Sequence, residues 1–344
     1  MKRVLMVGSA EKSGGGVATV IKTMKKMPFW QEYSCSWLGT QIQKNYLWKL
    51  FFAVKAAITA LFIIWRYDII HFHTTPDRIG LLIQLPELLI SKLFRKKIII
   101  EIHVGNQLNN HINNFLFKWV LRKAHLIIFL AKRWELLFKE KFVDINIPTK
   151  VLYNACETVP PIPITEKEKS ILMAAYFNDN KAPDLLLKAW SKLKDKYPDW
   201  KITMLGNGEI KRFRQMANNM ELNNCVSFPG YIIGKEKEEY WRKASIYCMC
   251  SYNEGFPMVV LEAWAHEVAL VTTPVGGLPD VIEEGKNCLV FPFGNVNALI
   301  EKLEILIEKE QLRHKLAKYG RQFVIDTFSI QKINEDISNI YKQL

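Results

Sequence analysis

The sequence predicts an α/β protein of two domains, each built on a parallel sheet. Three observations carry this. At 344 residues the chain exceeds the size at which a single hydrophobic core keeps growing. Short, apolar, β-prone runs alternate with longer helical stretches in both halves. Between the halves, Pro160-Pro161-Ile162-Pro163 and the charged residues up to Lys169 read as a linker.

Hydrophobic residues make up 49% of the chain and no stretch is low in complexity, so the protein is globular. The cysteines at 35, 156, 225, 248, 250 and 288 form no C-x-x-C pair and fall mostly in apolar runs. They are expected to be reduced and buried, as in a cytosolic protein. Val4 to Val7 is too short an apolar core for a secretory leader. Charge is unevenly placed. Residues 1–150 hold 23 Lys+Arg against 9 Asp+Glu, whereas residues 151–344 hold 24 against 25. The cationic half suits an anionic partner: acidic phospholipid, a lipid pyrophosphate or nucleic acid. Nucleic acid is disfavoured, because that half carries no nucleic-acid motif and its aromatics read as core or interface.

Arg3 to Gly8 reads as a first buried strand. Ser13-Gly-Gly-Gly-Val-Ala-Thr19 follows as a glycine-rich turn that opens a helix to about Met27, where backbone can approach a phosphate closely. It has neither the G-x-G-x-x-G spacing nor a Walker lysine, so a plain tight turn is equally consistent. Residues 46–66 are the most hydrophobic stretch. Lys49 and Lys55 interrupt it and leave too short a run to cross a bilayer, so a buried or half-buried helix is expected, with partial insertion into a membrane interface as the alternative. Asp68 to His73 and Lys97 to His103 are two further strands. His71 and His73 share a face, but no recognisable spacing supplies the further ligands a zinc ion needs. His103 lies just past the C-terminal end of its strand, where open α/β sheets bind ligands. Residues 115–141 interleave aromatics with lysine and arginine. With Lys92 and Arg95 to Lys97 they form either a membrane-facing patch or the snorkelling flanks of core helices.

The second half restarts the alternation with strands at 170–177, 201–206 and 225–230 and helices at 183–196, 208–219 and 235–244. A strand at 245–250 leads into Ser251-Tyr-Asn-Glu-Gly-Phe-Pro-Met-Val-Val-Leu-Glu-Ala-Trp-Ala265. Glu254-Gly255-Phe256 is a turn, and Pro257 suits the first position of a helix. The amides of Met258 and Val259 would then point out of the helix N-terminus, a place that favours phosphate. Glu262, four residues after Met258, shares that face. Carboxylates accept hydrogen bonds from sugar hydroxyls and amides hold phosphates, so this turn is equipped for a nucleotide-sugar. Three helices, at about 295–309, 311–326 and 330–343, end the chain.

Glu254 and Glu262, with seven residues between them, followed by Thr273-Pro-Val-Gly-Gly-Leu-Pro-Asp280, resemble the E-x7-E signature and loop of the glycosyltransferase family 4 group of retaining enzymes. The resemblance covers the whole chain, strongly from about 170 to 300 and weakly before 150. It implies a GT-B architecture: two Rossmann-like domains facing across a cleft, residues 1–160 for the acceptor and 165–327 for the donor, with a last helix at about 328–344 crossing back to the first. By the same resemblance Gly15 and Gly16 face the donor diphosphate, and His103 faces the acceptor and the reacting sugar. Asn154 falls in its usual place at a strand end. Ala175 to Asp184 is similar to the donor-phosphate loop G-R-L-x-x-x-K-G, with Lys181 on the lysine. Tyr176 replaces the arginine and Ala175 the glycine. Gly206, Gly208 and Gly230-Tyr231 match loops for base and ribose, and Gly255, Phe256, Met258 and Val259 line the donor turn. Glu254 holds sugar hydroxyls and Glu262 the ribose.

The expected function is therefore transfer of a sugar, with retained configuration and no metal or other cofactor, from a UDP- or GDP-sugar to a saccharide acceptor. Lys181, Glu254 and His103 are the candidate catalytic residues. A lipid-linked acceptor, an anionic membrane surface and a peripheral position on the cytoplasmic face follow from the basic first half and from the family's habit. Tyr176 in the arginine position motivates the alternative of a nucleotide-sugar-binding protein with little or no activity.

Overall fold

A computed structural model describes residues 2–10, 16–42, 46–103 and 105–344. The chain forms two compact units, Met1–Ala155 with Ile330–Leu344, and Cys156–Ser329.

The first unit contains β1 (Val4–Ser9), α1 (Gly16–Met24), α2 (Pro28–Glu32), β2 (Ser36–Gln41), α3 (Tyr46–Ile63), β3 (Ile69–Thr74), α4 (Arg78–Leu93) and β4 (Lys97–Ile102). It continues with α5 (Phe115–Leu121), β5 (Leu126–Phe129), α6 (Lys132–Lys141) and β6 (Thr149–Val151). The second holds β7 (Ser170–Phe177), α7 (Pro183–Leu193), β8 (Lys201–Gly208), α8 (Ile210–Asn219), β9 (Val226–Gly230), α9 (Gly234–Lys243) and β10 (Ile246–Met249). It ends with α10 (Met258–Ala265), β11 (Ala269–Thr272), β12 (Leu289–Val290), α11 (Val296–Glu308) and α12 (Glu310–Phe328), before α13 (Ile330–Gln343) completes the first unit.

Each unit is a six-stranded sheet, ordered β2-β1-β3-β4-β5-β6 and β12-β11-β10-β7-β8-β9. All the pairings are parallel, as the β/α alternation predicts. The central strands are apolar throughout because helices cover both faces. In β1 Val4 to Val7 are fully buried, and in β10 Ile246 to Met249 are buried as well. Helix α13 is tied to the first unit by side chains: Asn334 accepts from the Phe29 amide at 2.7 Å, and the Tyr33 hydroxyl donates to the Ser338 carbonyl at 3.2 Å.

Two expectations need correction. Helix α3 runs unbroken through Lys49 and Lys55, and it is not a buried element. Among its described side chains only Ala56 and Ala60 are buried, together with Ile64 directly after the helix. These recur every four residues and make one narrow stripe against β2 and α4. Small alanines allow close approach there, and the large side chains are left outside. Leu47, Trp48, Leu50, Phe51, Val54, Ile58, Leu61, Phe62 and Trp65 are all exposed. The segment Leu47–Arg66 is long and apolar enough, by length and composition, to cross a membrane.

The second correction concerns residues 115–141, which enclose a buried strand, β5, between α5 and α6. Phe117, Leu121, Trp134 and Phe138 are core residues. The nearby charges are paired: Lys132 and Lys139 with Glu135, and Lys118 and Arg122 with Asp144. The elements thus fit the reading of this stretch as core with charged flanks, and what the sequence missed is the strand between the helices.

Candidate active site

In the second unit the structure gathers the predicted loops around the C-terminal ends of β7 and β10. Helix α10 starts at Met258, with Pro257 as its N-cap, one position before the site where the sequence places it. The amides of Met258 and Val259 precede any intrahelical acceptor, whereas that of Val260 is taken by the Pro257 carbonyl at 3.2 Å. The Lys181 ammonium is hydrogen-bonded to Glu254 Oε1, and the Ser251 hydroxyl donates to the same oxygen at 2.7 Å. Lys181 is aimed by its own loop. Asn178 Oδ1 accepts from the Lys181 amide at 3.1 Å, and Ala182 adopts a left-handed conformation at φ 45° as the N-cap of α7. Asn180 then clamps this loop to the motif by donating to the Asn253 carbonyl at 2.9 Å and accepting from the Tyr252 amide at 2.7 Å.

Glycine is obligatory at Gly206, Gly208 and Gly276. A Cβ on Gly276, at φ +64°, would lie 2.6 Å from the Glu254 carbonyl oxygen, so the V-G-G loop lies flat on the E-G-F turn. The Gly277 amide completes that contact by donating to the Gly255 carbonyl at 2.8 Å. On β8, a Cβ on Gly206 would come within 1.7 Å of the Ala175 carbonyl. Gly208 ends the same strand. Phe256 is buried against Phe328, while Tyr176 and Tyr231 are exposed. Tyr176 thus leaves its arginine position without a cation of its own.

Sequence reasoning missed Lys237, on α9, whose ammonium donates to both oxygens of Glu262 at 2.8 Å. No local motif announces it. Only the packing of α9 beside α10 brings the two together, so each motif carboxylate has its own lysine.

In the first unit, Gly16 opens α1, and Gly15 lies outside the described residues. Asn154 is buried three residues after β6, its Oδ1 with no partner among the described residues. His71 and His73 on β3 meet Glu101 on β4, because the parallel register sets His73 beside Glu101. One ligand atom from each lies within 4.8 Å of the others. The further group that no sequence spacing supplied therefore comes from the neighbouring strand.

His103 joins this cluster. Its Nε2 is 3.0 Å from Glu101 Oε1 and 2.9 Å from His73 Nδ1. The His73 and His103 ring centroids are 5.1 Å apart, so those two nitrogens face each other nearly head-on. Two nitrogens on one tetrahedral zinc ion would be about 3.3 Å apart. The 2.9 Å spacing here is that of a hydrogen bond.

Burial pushes the His73 imidazole down to about 4, so it is neutral. Burial alone would raise Glu101, but the three surrounding imidazoles outweigh it and hold its carboxyl well below the usual range.

With this geometry in view, the class is defined by architecture. The crystal structure of Anabaena Alr3699/HepE in complex with UDP matches with a TM-score of 0.77 at 16% identity, covering 99% of this chain and 100% of that one. The fold is that of a GT-B glycosyltransferase. Residues 157–323 match the family model of glycosyl transferases group 1. An uncharacterized glycosyltransferase of Haemophilus influenzae is 27% identical over 69% of this chain and 65% of its own length. A Campylobacter jejuni relative is 28% identical over 58% of this chain and 55% of its length. It is the α-1,4-N-acetyl-D-galactosaminyltransferase that acts on GalNAc-α-(1→4)-GalNAc-α-(1→3)-diNAcBac-PP-undecaprenol. The chain thus spans about half to two thirds of these two curated relatives.

Proposed function

We propose that the protein is a retaining, family 4 type glycosyltransferase that moves a sugar from a UDP- or GDP-sugar to a lipid-linked saccharide, in surface polysaccharide or glycolipid assembly. The observation that carries this reading is the pairing of Lys181 with Glu254 beside the amino end of α10. Transfer breaks the bond between the anomeric carbon and the donor diphosphate. It forms one from the acceptor hydroxyl to the same face of that carbon, and the departing diphosphate takes the hydroxyl proton. Negative charge develops on the diphosphate. Lys181 and the amides of Met258 and Val259 are fixed donors for that charge, and they need no resident metal. Glu254, released from Lys181, accepts from sugar hydroxyls, and Glu262 accepts from the ribose. UDP in the Anabaena complex and the undecaprenol diphosphate-linked acceptor of the Campylobacter relative support the donor and acceptor classes. A thermal-shift panel of nucleotide-sugars identifies the donor, since a ligand at 100 times its Kd adds about 2.7 kcal/mol. NMR of the product then tests the stereochemistry, and an inverted anomeric carbon refutes retention.

The uncovered face of α3 supports a peripheral position on the cytoplasmic side of the membrane. Each large apolar side chain gains about 1.5–3 kcal/mol on leaving water, and Trp48, Phe51, Phe62 and Trp65 are exposed together. Leu89, Leu93 and Phe94 on and after the adjoining α4 extend the face, and Lys92, Arg95 and Lys96 fringe it for anionic headgroups. Flotation with vesicles containing phosphatidylglycerol should carry the protein upward, and the double variant Trp48→Ser/Phe51→Ser should leave most of it at the bottom. Flotation insensitive to both the variant and anionic lipid content refutes this placement.

A further inference from the structure

Both oxygens of Glu262 lie 2.8 Å from the Lys237 ammonium, a two-pronged grip on the carboxylate that the proposed function gives to the ribose. Packing holds that lysine in place. Trp241, one turn further along α9 and on the same face, is fully buried. Its ring lies 5.1 Å from that of Tyr247 on β10 and is stacked 5.9 Å from that of His266, just past α10. Beside Lys237, Glu238 Oε2 is 2.6 Å from His266 Nε2, and His266 Nδ1 is 2.7 Å from the Glu262 carbonyl oxygen. Helix α9 is thus pinned to the strand and the helix that frame the E-x7-E turn. The side chains of Lys237 and Glu262 are still 32% and 21% exposed, so a ligand can reach the pair. A pair this open adds little to stability. Its chemistry suits a sugar diol better. An ammonium has three N–H donors and no acceptor, and an ionised carboxylate has about four lone pairs and no donor. Two bonds to Glu262 leave one N–H on Lys237 and a further lone pair on each carboxylate oxygen. Two neighbouring hydroxyls can therefore be satisfied together, one giving its hydrogen to Glu262 and the other accepting from Lys237. An uncharged ribose offers nothing that would draw Lys237 off its carboxylate.

We propose that Lys237 is the second half of the ribose subsite: it fixes Glu262 and donates to one hydroxyl of the 2′,3′-diol while Glu262 accepts from the other. The inference rests on the assignment of Glu262 to the ribose made above. Its test is calorimetric binding of UDP and GDP to the full chain, each beside its 2′-deoxy and 3′-deoxy forms. The nucleotide that binds wild type should bind about tenfold or more weakly when either hydroxyl is missing, the usual loss of a bond to a charged group. Lys237→Met keeps the apolar stem and removes the donor, and it should shrink at least one of those ratios to about threefold or less. Unchanged ratios in Lys237→Met overturn the proposal. So do deoxy forms that bind wild type as tightly as the parent nucleotide, a result that needs no variant to fold. Ratios levelled by Glu262→Ala but not by Lys237→Met leave Glu262 on the ribose and remove Lys237 from it. Ratios kept in Glu262→Ala, or binding of neither UDP nor GDP, refute the assignment beneath and the proposal with it.

Discussion

Two pairs of carboxylates, one pair in each unit, are held in opposite ways. In the second, Glu254 and Glu262 sit near the surface, and each is matched by one lysine brought from a different loop or helix. In the first, Glu87 and Glu101 are buried and have no lysine. No oxygen of either acid has a hydrogen-bond partner among the described residues, but Glu101 has three imidazole nitrogens within 3.5 Å. Burial accordingly pushes the Glu87 carboxyl up to about 7. A surface acid paired with a flexible cation can exchange that cation for a ligand. A buried acid can only fix its neighbours or burden the fold.

The sharpest attack on this contrast is Lys181→Ala. Tyr176 offers no charge to share the developing diphosphate anion, so turnover should fall by about 10²–10³, the effect of removing one transition-state donor. Near-normal kcat would reduce the Lys181–Glu254 pair to a surface bridge. Next in size is Glu87→Gln. An acid whose pKa is raised on folding loses stability as pH climbs from its unfolded 4.5 to its folded value of about 7. The amide escapes that loss, so the variant should gain on wild type across this window, reaching at most about 3 kcal/mol above it. Denaturant unfolding at pH 4.5 and pH 8 checks this, and a pH-independent difference would contradict it. Glu262→Ala should raise the donor KM about tenfold and spare kcat, because a ribose contact changes little along the reaction. The smallest change should come from Tyr176→Arg, which restores a cation and should raise kcat/KM by a few fold.

What the sequence made legible was local. Strands β7 and β10 and the E-x7-E turn are read from consecutive residues, and Gly276 is required by the backbone it lies on. What it hid depends on register and neighbours. Glu101 reaches His73 only through the pairing of β3 with β4, and Lys237 reaches Glu262 only through the packing of α9 beside α10. The exposure of α3 was illegible for another reason. Apolar composition states that a helix avoids water and is silent on whether protein or lipid covers it. Strand β5 was masked by the basic residues on either side of it.

Helix α13 has a consequence for synthesis on the ribosome. Its residues 330–344 belong to the first unit, yet they follow all of the second unit in the chain. Translation runs from the N-terminus, so the first unit waits, incomplete, while 156–329 is made. Until then Phe29 and Tyr33 lack the cover of Tyr341, and His71 lacks its phenol partner. The nascent first unit is therefore an open form with an unclosed apolar seam, and α13, emerging after the second unit, is the helix that seals it.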